Sequence, residues 1–149
     1  MKPANAALGA NITLRQATES DIPAMHRIRL AVRENTLSDP ARITQADYTA
    51  ALAESGRTWV IEETGQIVAF ATGYKSGSIW ALFVHPDHEG HGYGHALHSA
   101  AVSWLWSLGH QHLWLTTSPG TRAERFYTSR GWQPCGDGAN GELRLELNR

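Results

Sequence analysis

The period of the apolar positions changes several times along the chain, and each change marks an element. Residues 12–18 alternate through Ile12 and Leu14, the two-residue period of a strand with one buried face. Ile22, Met25, Ile28, Ala31 and Val32 then recur at helical spacing. With Ser20 as N-cap and Asp21 and Pro23 in the first turn, they predict a helix over residues 20–35. The helix should stop before Thr36-Leu37-Ser38-Asp39-Pro40, whose proline disfavours helix at Asp39. Thr44-x-x-Asp47 has the form of a capping box with a shortened acid and opens a second helix, which Ser55-Gly56 closes.

Residues 57–63, 66–74 and 78–84 read as three strands joined by the hairpin-length turns Thr64-Gly65 and Lys75-Ser76-Gly77. In the third, both alternating sets are apolar (Ile79, Ala81, Phe83 and Trp80, Leu82, Val84), which places it centrally, covered on both faces. A glycine-rich loop follows, His88-Glu89-Gly90-His91-Gly92-Tyr93-Gly94. After it comes a helix with the stripe Leu97, Ala100, Ala101, Trp104, Leu105 and Leu108, ended by Gly109. A strand over 111–117, a turn at Pro119-Gly120, a short helix over 121–130 and a hairpin of 132–135 with 142–147 complete the chain. Hairpins first and a helical crossover later predict an α+β fold in three layers (α/β/α). Its sheet is mixed, largely antiparallel, of about seven strands, with helices on both faces. Residues 1–10 are expected to be a loose tail and 11–149 a single domain.

Composition narrows the function. With 42% hydrophobic and 18% charged residues the chain has the apolar surface of a folded domain. Thirteen Lys and Arg against 14 Asp and Glu leave a net charge of −1, which disfavours a nucleic-acid partner and points to a small one. A lone cysteine, Cys135, forms no internal disulfide and is expected to be a small buried hydrophobe. No apolar run reaches the ~20 residues of a membrane span or the ~7–15 of a signal-peptide core. The expectation is a cytoplasmic protein without a membrane partner; a homodimer is left open.

The glycine loop carries the chemistry. A central strand that feeds a glycine turn into a helix N-terminus gathers backbone N–H groups where the helix dipole is positive, which suits a phosphate. It is not a nucleoside triphosphatase loop, because His95-Ala96 stands where lysine and a hydroxyl would be needed. Nor is it a dinucleotide fingerprint, because the glycine spacing fails. Histidines crowd residues 85–98, but His88-Glu89-Gly90-His91 is one residue short of the zinc motif H-E-x-x-H. No metal is expected, and these histidines should be at the surface or face phosphate.

Val84-His85-Pro86-Asp87-His88-Glu89-Gly90-His91-Gly92-Tyr93-Gly94-His95-Ala96-Leu97 resembles the acetyl-CoA motif of the GNAT superfamily of N-acetyltransferases. Residues 123–132, Ala-Glu-Arg-Phe-Tyr-Thr-Ser-Arg-Gly-Trp, are similar to that family's A-x-x-F-Y-x-x-x-G-[FW] segment. The resemblance covers nearly the whole chain. It implies transfer of an acetyl group from acetyl-CoA, the cosubstrate, to a primary amine of a small molecule or peptide through a ternary complex. The alternative is a CoA-binding or regulatory domain of the same fold that has lost catalysis; a toxin acting on aminoacyl-tRNA fits the −1 charge poorly.

By the same resemblance Phe83 and Val84 would pair with pantetheine where two strands splay. Glu89, Gly90, His91, Gly92, Tyr93, Gly94 and His95 would form the pyrophosphate loop, and a side chain at Gly92 or Gly94 would fill the ligand's space or strain the turn. Tyr127 would be the acid that protonates the leaving thiolate. The helix–loop after residue 33 would line the acceptor pocket, with Glu34 the first candidate base, Asp39 the second and His85 the third. Two positions depart from the family pattern. Glu89 replaces Gln or Arg and must turn its carboxylate away from a pyrophosphate. Gly120 replaces an Asn, a contact that Thr116, Thr117 or Ser118 could supply.

Overall fold

The computed structural model describes residues 6–33 and 43–149. Its first strand corrects the expected N-terminus: β1 (Ala6–Gly9) pairs antiparallel with β2 (Ile12–Gln16), so residues 6–9 extend the sheet instead of forming a loose tail. Asn11 turns the chain between them at φ 63°, a left-handed conformation that asparagine tolerates.

Arg15 on β2 grips Asp21 with two hydrogen bonds, Nη1 to Oδ2 at 2.8 Å and Nη2 to Oδ1 at 2.9 Å. The Thr18 backbone N–H donates to the same carboxylate at 2.8 Å. The chain therefore enters α1 (Ile22–Ala31) through a 3-10 turn (Glu19–Asp21) organised by Thr18 and Asp21, and Ser20, the expected cap, lies inside that turn. The helix is also shorter than expected. Val32 is already extended at ψ 148°, and among the described residues of this stripe Ile28 is the last that is buried. Glu34 and Asp39 lie outside the described residues.

α2 (Gln45–Ala53) begins at the predicted box: the Asp47 carboxylate accepts the Thr44 N–H at 2.7 Å and the Thr44 hydroxyl accepts the Asp47 N–H at 3.4 Å. β3 (Gly56–Glu63), β4 (Gln66–Tyr74) and β5 (Ser78–Val84) form the expected meander. Thr64 and Gly65 both have positive φ, 51° and 79°, which matches the twist of the strands that they join. α3 (Tyr93–Ser107) then crosses over to β6 (His112–Thr117), and α4 (Arg122–Thr128) precedes the hairpin of β7 (Gln133–Asp137) and β8 (Leu143–Asn148).

The sheet has eight strands in the order β1-β2-β3-β4-β5-β6-β8-β7, one more than expected because β1 joins it. Among the described strands only β5 and β6 pair in parallel. Two apolar clusters cover its two faces. Leu97, Ala101 and Leu105 of α3 and Tyr127 of α4 pack with Trp59, Ile61 and Leu115 on one face. Ile22, Met25 and Ile28 of α1 and Tyr48 of α2 pack with Val60 and Phe70 on the other.

β5 is central and covered on both faces, but its pattern is not a simple alternation. The register to β4 slips between Ile79 and Ala81, a bulge that sends Ile79, Leu82 and Val84 to the α3 face and Trp80, Ala81 and Phe83 to the α1 face. Cys135 is exposed on the edge strand β7, not buried as expected. Its thiol is pushed up by a hydrogen bond to Glu146, which disfavours the reactive thiolate. Among the described residues no helix is long and apolar enough to cross a membrane.

Candidate functional site

β5 and β6 meet at a single bridge, Ser78 with Trp114. Beyond it β5 keeps its pairing to β4 as far as Val84 and β6 its pairing to β8 as far as Thr117, so the two central strands part. The His85 N–H donates to the Val68 carbonyl at 2.9 Å. That bond sets the phase of the ladder: Phe83 spends its backbone groups on β4, whereas those of Leu82 and Val84 point into the gap. The two candidate strand residues are thus separated in role. Val84 offers backbone, while Phe83 offers a ring that lines the cleft with the Arg29 guanidinium 4.4 Å from its centroid.

The gap opens into a cleft of about 520 Å³. Trp80, Tyr74, Asp47 and Tyr48 line its α1/α2 side, and Thr116, Thr117, Ser118 and Tyr127 line the other. The three hydroxyl residues named as replacements for the missing Asn are therefore brought to the cleft together. Gly120 itself sits in a turn at φ 77° with its N–H donated to Glu124 at 2.9 Å. Tyr127 is 6% exposed and packed against Phe126, Trp132 and His98, so it belongs to the core and to the cleft wall at once. Burial pushes its phenol well above the ordinary value and keeps it protonated. Tyr48 is bonded at 2.9 Å to His26 Nδ1, and burial pushes its phenol up to about 12.

At the end of β5 a 3-10 turn (Pro86–His88), with the Asp87 N–H donated to His85 Nδ1 at 3.1 Å, leads into the glycine loop. This occupies the His85 ring in shaping the turn. Gly90 and Gly92 have φ 81° and 79°, conformations that L side chains rarely adopt, and the direction in which a Cβ would project is open at both. Gly92 is the N-cap of α3 and has no side chain to satisfy the first-turn amides of Tyr93, Gly94 and His95. His91 is exposed with its ring 5.5 Å from that of Tyr93, and His95 is exposed in the first turn of α3. The Glu89 carboxylate is turned to an ion pair with Arg122.

At Gly94 the constraint on a side chain is a different one from that expected: a Cβ there would lie 3.3 Å from Phe126 Cε1, in the contact of α3 with α4. Tyr93 too turns its side chain inward, donating its hydroxyl to Glu63 at 2.9 Å; the same oxygen lies 3.0 Å from His88 Nδ1. The Tyr93 hydrogen bond, with His88, holds the Glu63 carboxyl below its usual range. Glu63 and Arg122 escaped the sequence reading because nothing local ties them to the loop; each reaches it from another element. His98 is another correction. Far from facing phosphate, it is buried beneath α4 and accepts the Trp132 indole N–H at 2.9 Å. Among the described residues no group of three His, Cys, Asp or Glu could hold a metal ion.

A parted pair of central strands ending in a glycine loop at a helix N-terminus coincides with a family match over residues 22–132, to the Acetyltransferase (GNAT) family. The chain belongs to that family. Solved structures agree in fold. A GCN5-related N-acetyltransferase from Rhodopseudomonas palustris superposes with TM-score 0.77 at 21% identity, covering 91% of this chain and 94% of that one. YncA of Salmonella typhimurium, solved with its cofactor acetyl-CoA, gives 0.77 at 19%, covering 93% and 94%. The ribosomal-protein-S18-alanine N-acetyltransferase of Escherichia coli gives 0.72 at 19%, covering 92% and 93%. No curated protein sequence matches the chain.

Acetyl-CoA is the cosubstrate of GNAT proteins, and the residues present fit it. The left-handed glycines leave the loop amides uncovered, the Leu82 and Val84 backbone groups face an open gap, and the carboxylate within the loop, Glu89, is paired with Arg122.

Proposed function

We propose that this GNAT protein transfers the acetyl group of acetyl-CoA to a primary amine of a small molecule or peptide in a ternary complex. The reading is carried by one observation: the cleft that runs between β5 and β6 joins the open backbone edge of β5 to the buried phenol of Tyr127. When bound, acetyl-CoA supplies an activated thioester. The chain's own part is to hold and orient it. Amides of residues 90–95 receive the pyrophosphate, with Gly90 and Gly92 permitting close approach, and the backbone of Leu82 and Val84 receives the pantetheine arm. The amine nitrogen attacks the thioester carbonyl, a C–N bond forms and the C–S bond breaks. Tyr127, kept protonated by burial, donates its proton to the departing sulfur. Glu34 is the base proposed on sequence grounds to take a proton from the substrate ammonium, so that the neutral amine attacks; the second proton, shed by the nitrogen once the C–N bond has formed, restores the Tyr127 phenol.

The test is thiol release from acetyl-CoA, followed with a panel of primary amines, diamines and peptide N-termini. Amine-dependent release with an equimolar N-acetyl product is expected. Tight acetyl-CoA binding with no amine-dependent release across the panel would assign the chain to CoA binding without catalysis.

A further inference from the structure

We infer that Glu63 is a positioning residue for acetyl-CoA, whose carboxylate clamps both ends of the glycine loop and holds its amides in a receiving arrangement. The inference rests on the acetyl-transfer reading above, since it concerns the same loop.

A single oxygen makes the clamp. Glu63 Oε2 accepts the Tyr93 hydroxyl at 2.9 Å and lies 3.0 Å from His88 Nδ1. His88 ends the 3-10 turn that enters the loop and Tyr93 is the first residue of the helix that leaves it, so the stretch between the anchors is Glu89, Gly90, His91 and Gly92. Within that stretch the two glycines stand at φ 81° and 79° with open space around them. Glycine has the most backbone freedom to lose, and a loop built on it pays that loss on binding unless something outside the loop has removed it already. Glu63 is placed to do so. It ends β3, a strand paired to β2 on one side and β4 on the other, and it meets a Tyr93 ring fixed in the core beneath α3.

The charge of Glu63 argues in the opposite direction and makes the inference decidable. A carboxylate near a pyrophosphate is repulsive, so if Glu63 acted on the ligand through its charge alone, neutralising it would tighten binding. If it acts by holding Tyr93 and His88, removing it weakens binding.

The experiment measures CoA affinity by calorimetry, and KM for acetyl-CoA and for S-acetylpantetheine, which lacks the pyrophosphate, in wild type, Glu63→Ala, Glu63→Gln, Tyr93→Phe and the Glu63→Ala/Tyr93→Phe pair. Loss of a hydrogen-bonded charged anchor should raise the CoA Kd and the acetyl-CoA KM about tenfold in Glu63→Ala. Tyr93→Phe, which keeps the buried ring, should move them the same way, and the double variant should be no worse than Glu63→Ala because removing Glu63 already breaks the Tyr93 link. Glu63→Gln, which retains an oxygen for Tyr93, should fall between wild type and Glu63→Ala. The KM for S-acetylpantetheine should move less than twofold, a selectivity that general loosening of the fold would not give. Affinities within twofold of wild type in Glu63→Ala and Tyr93→Phe, tighter binding in Glu63→Gln, or equal losses for S-acetylpantetheine would each overturn the clamp. A wild-type protein that binds no CoA would overturn the acetyl-transfer reading itself, whereas normal wild-type binding with unaffected variants would overturn the clamp alone.

Discussion

Trp132 donates its indole N–H to Nε2 of His98 at 2.9 Å, joining the segment between α4 and β7 to α3 inside the core. Because Nε2 accepts, the imidazole is neutral with its proton on Nδ1. Burial, with Arg130 and His95 nearby, lowers its pKa to about 4 from the ordinary 6.5. Between these values the unfolded chain binds a proton that the folded one refuses, so stability falls as pH drops from about 6.5 to about 4 and is level above that window. Denaturation midpoints at pH 7 and pH 5 should therefore differ. The difference should shrink in His98→Gln, which keeps an acceptor for Trp132 but does not titrate. An unchanged difference would place the acid sensitivity in other groups.

Tyr127→Phe retains the ring that packs on Phe126 and Trp132 and removes only the hydroxyl. Turnover should fall by up to the ~10²–10⁴ associated with a general acid, with acetyl-CoA affinity within a few-fold of wild type. Since burial holds the phenol above its ordinary value, wild-type turnover should show no alkaline decline from this group up to about pH 10. Normal turnover in the variant would leave Tyr127 a packing residue.

Gly92 and Gly94 should respond to alanine in different ways. At Gly92 the cost is conformational: φ is 79°, and a side chain there loses about 1–2 kcal/mol of backbone energy or reshapes the loop, so acetyl-CoA affinity should drop together with stability. At Gly94 the added Cβ meets Phe126 at 3.3 Å, so the α3–α4 contact must give, and thermal stability is the quantity to watch. Calorimetric acetyl-CoA titration beside thermal unfolding of the two variants separates these effects.

The contrast shows which parts of the molecule were legible from sequence. The meander, the capping box at Thr44 and Asp47 and the glycine loop were readable because each is set by neighbours within a few residues. The β5 bulge was not, since an apolar strand covered on both faces has no polar position to mark a slip of one residue. β1 was missed because Ala6-Ala7-Leu8-Gly9 has little side chain to show a period, and its pairing is set by β2. His98 was misread because a neutral core histidine and a surface one look alike until the partner, here Trp132, is known.

Glu89 offers a test of the loop's electrostatics. Its carboxylate is paired with Arg122 at an exposed position, where such bridges contribute only about 0–1 kcal/mol, so its weight lies in directing charge away from the anion site and little in stability. Glu89→Gln, which restores the residue type usual in the resembling motif, should leave thermal stability within about 0.5 kcal/mol and improve acetyl-CoA affinity a few-fold at low salt. Arg122→Ala should do the reverse, because it leaves the carboxylate beside the loop without this guanidinium. Both effects should fade as ionic strength rises toward 0.5 M, where the screening length falls to about 4 Å. Affinities that ignore both substitutions at low salt would mean that Glu89 stands too far from the bound phosphates to matter. The departure from the family motif would then cost this protein nothing.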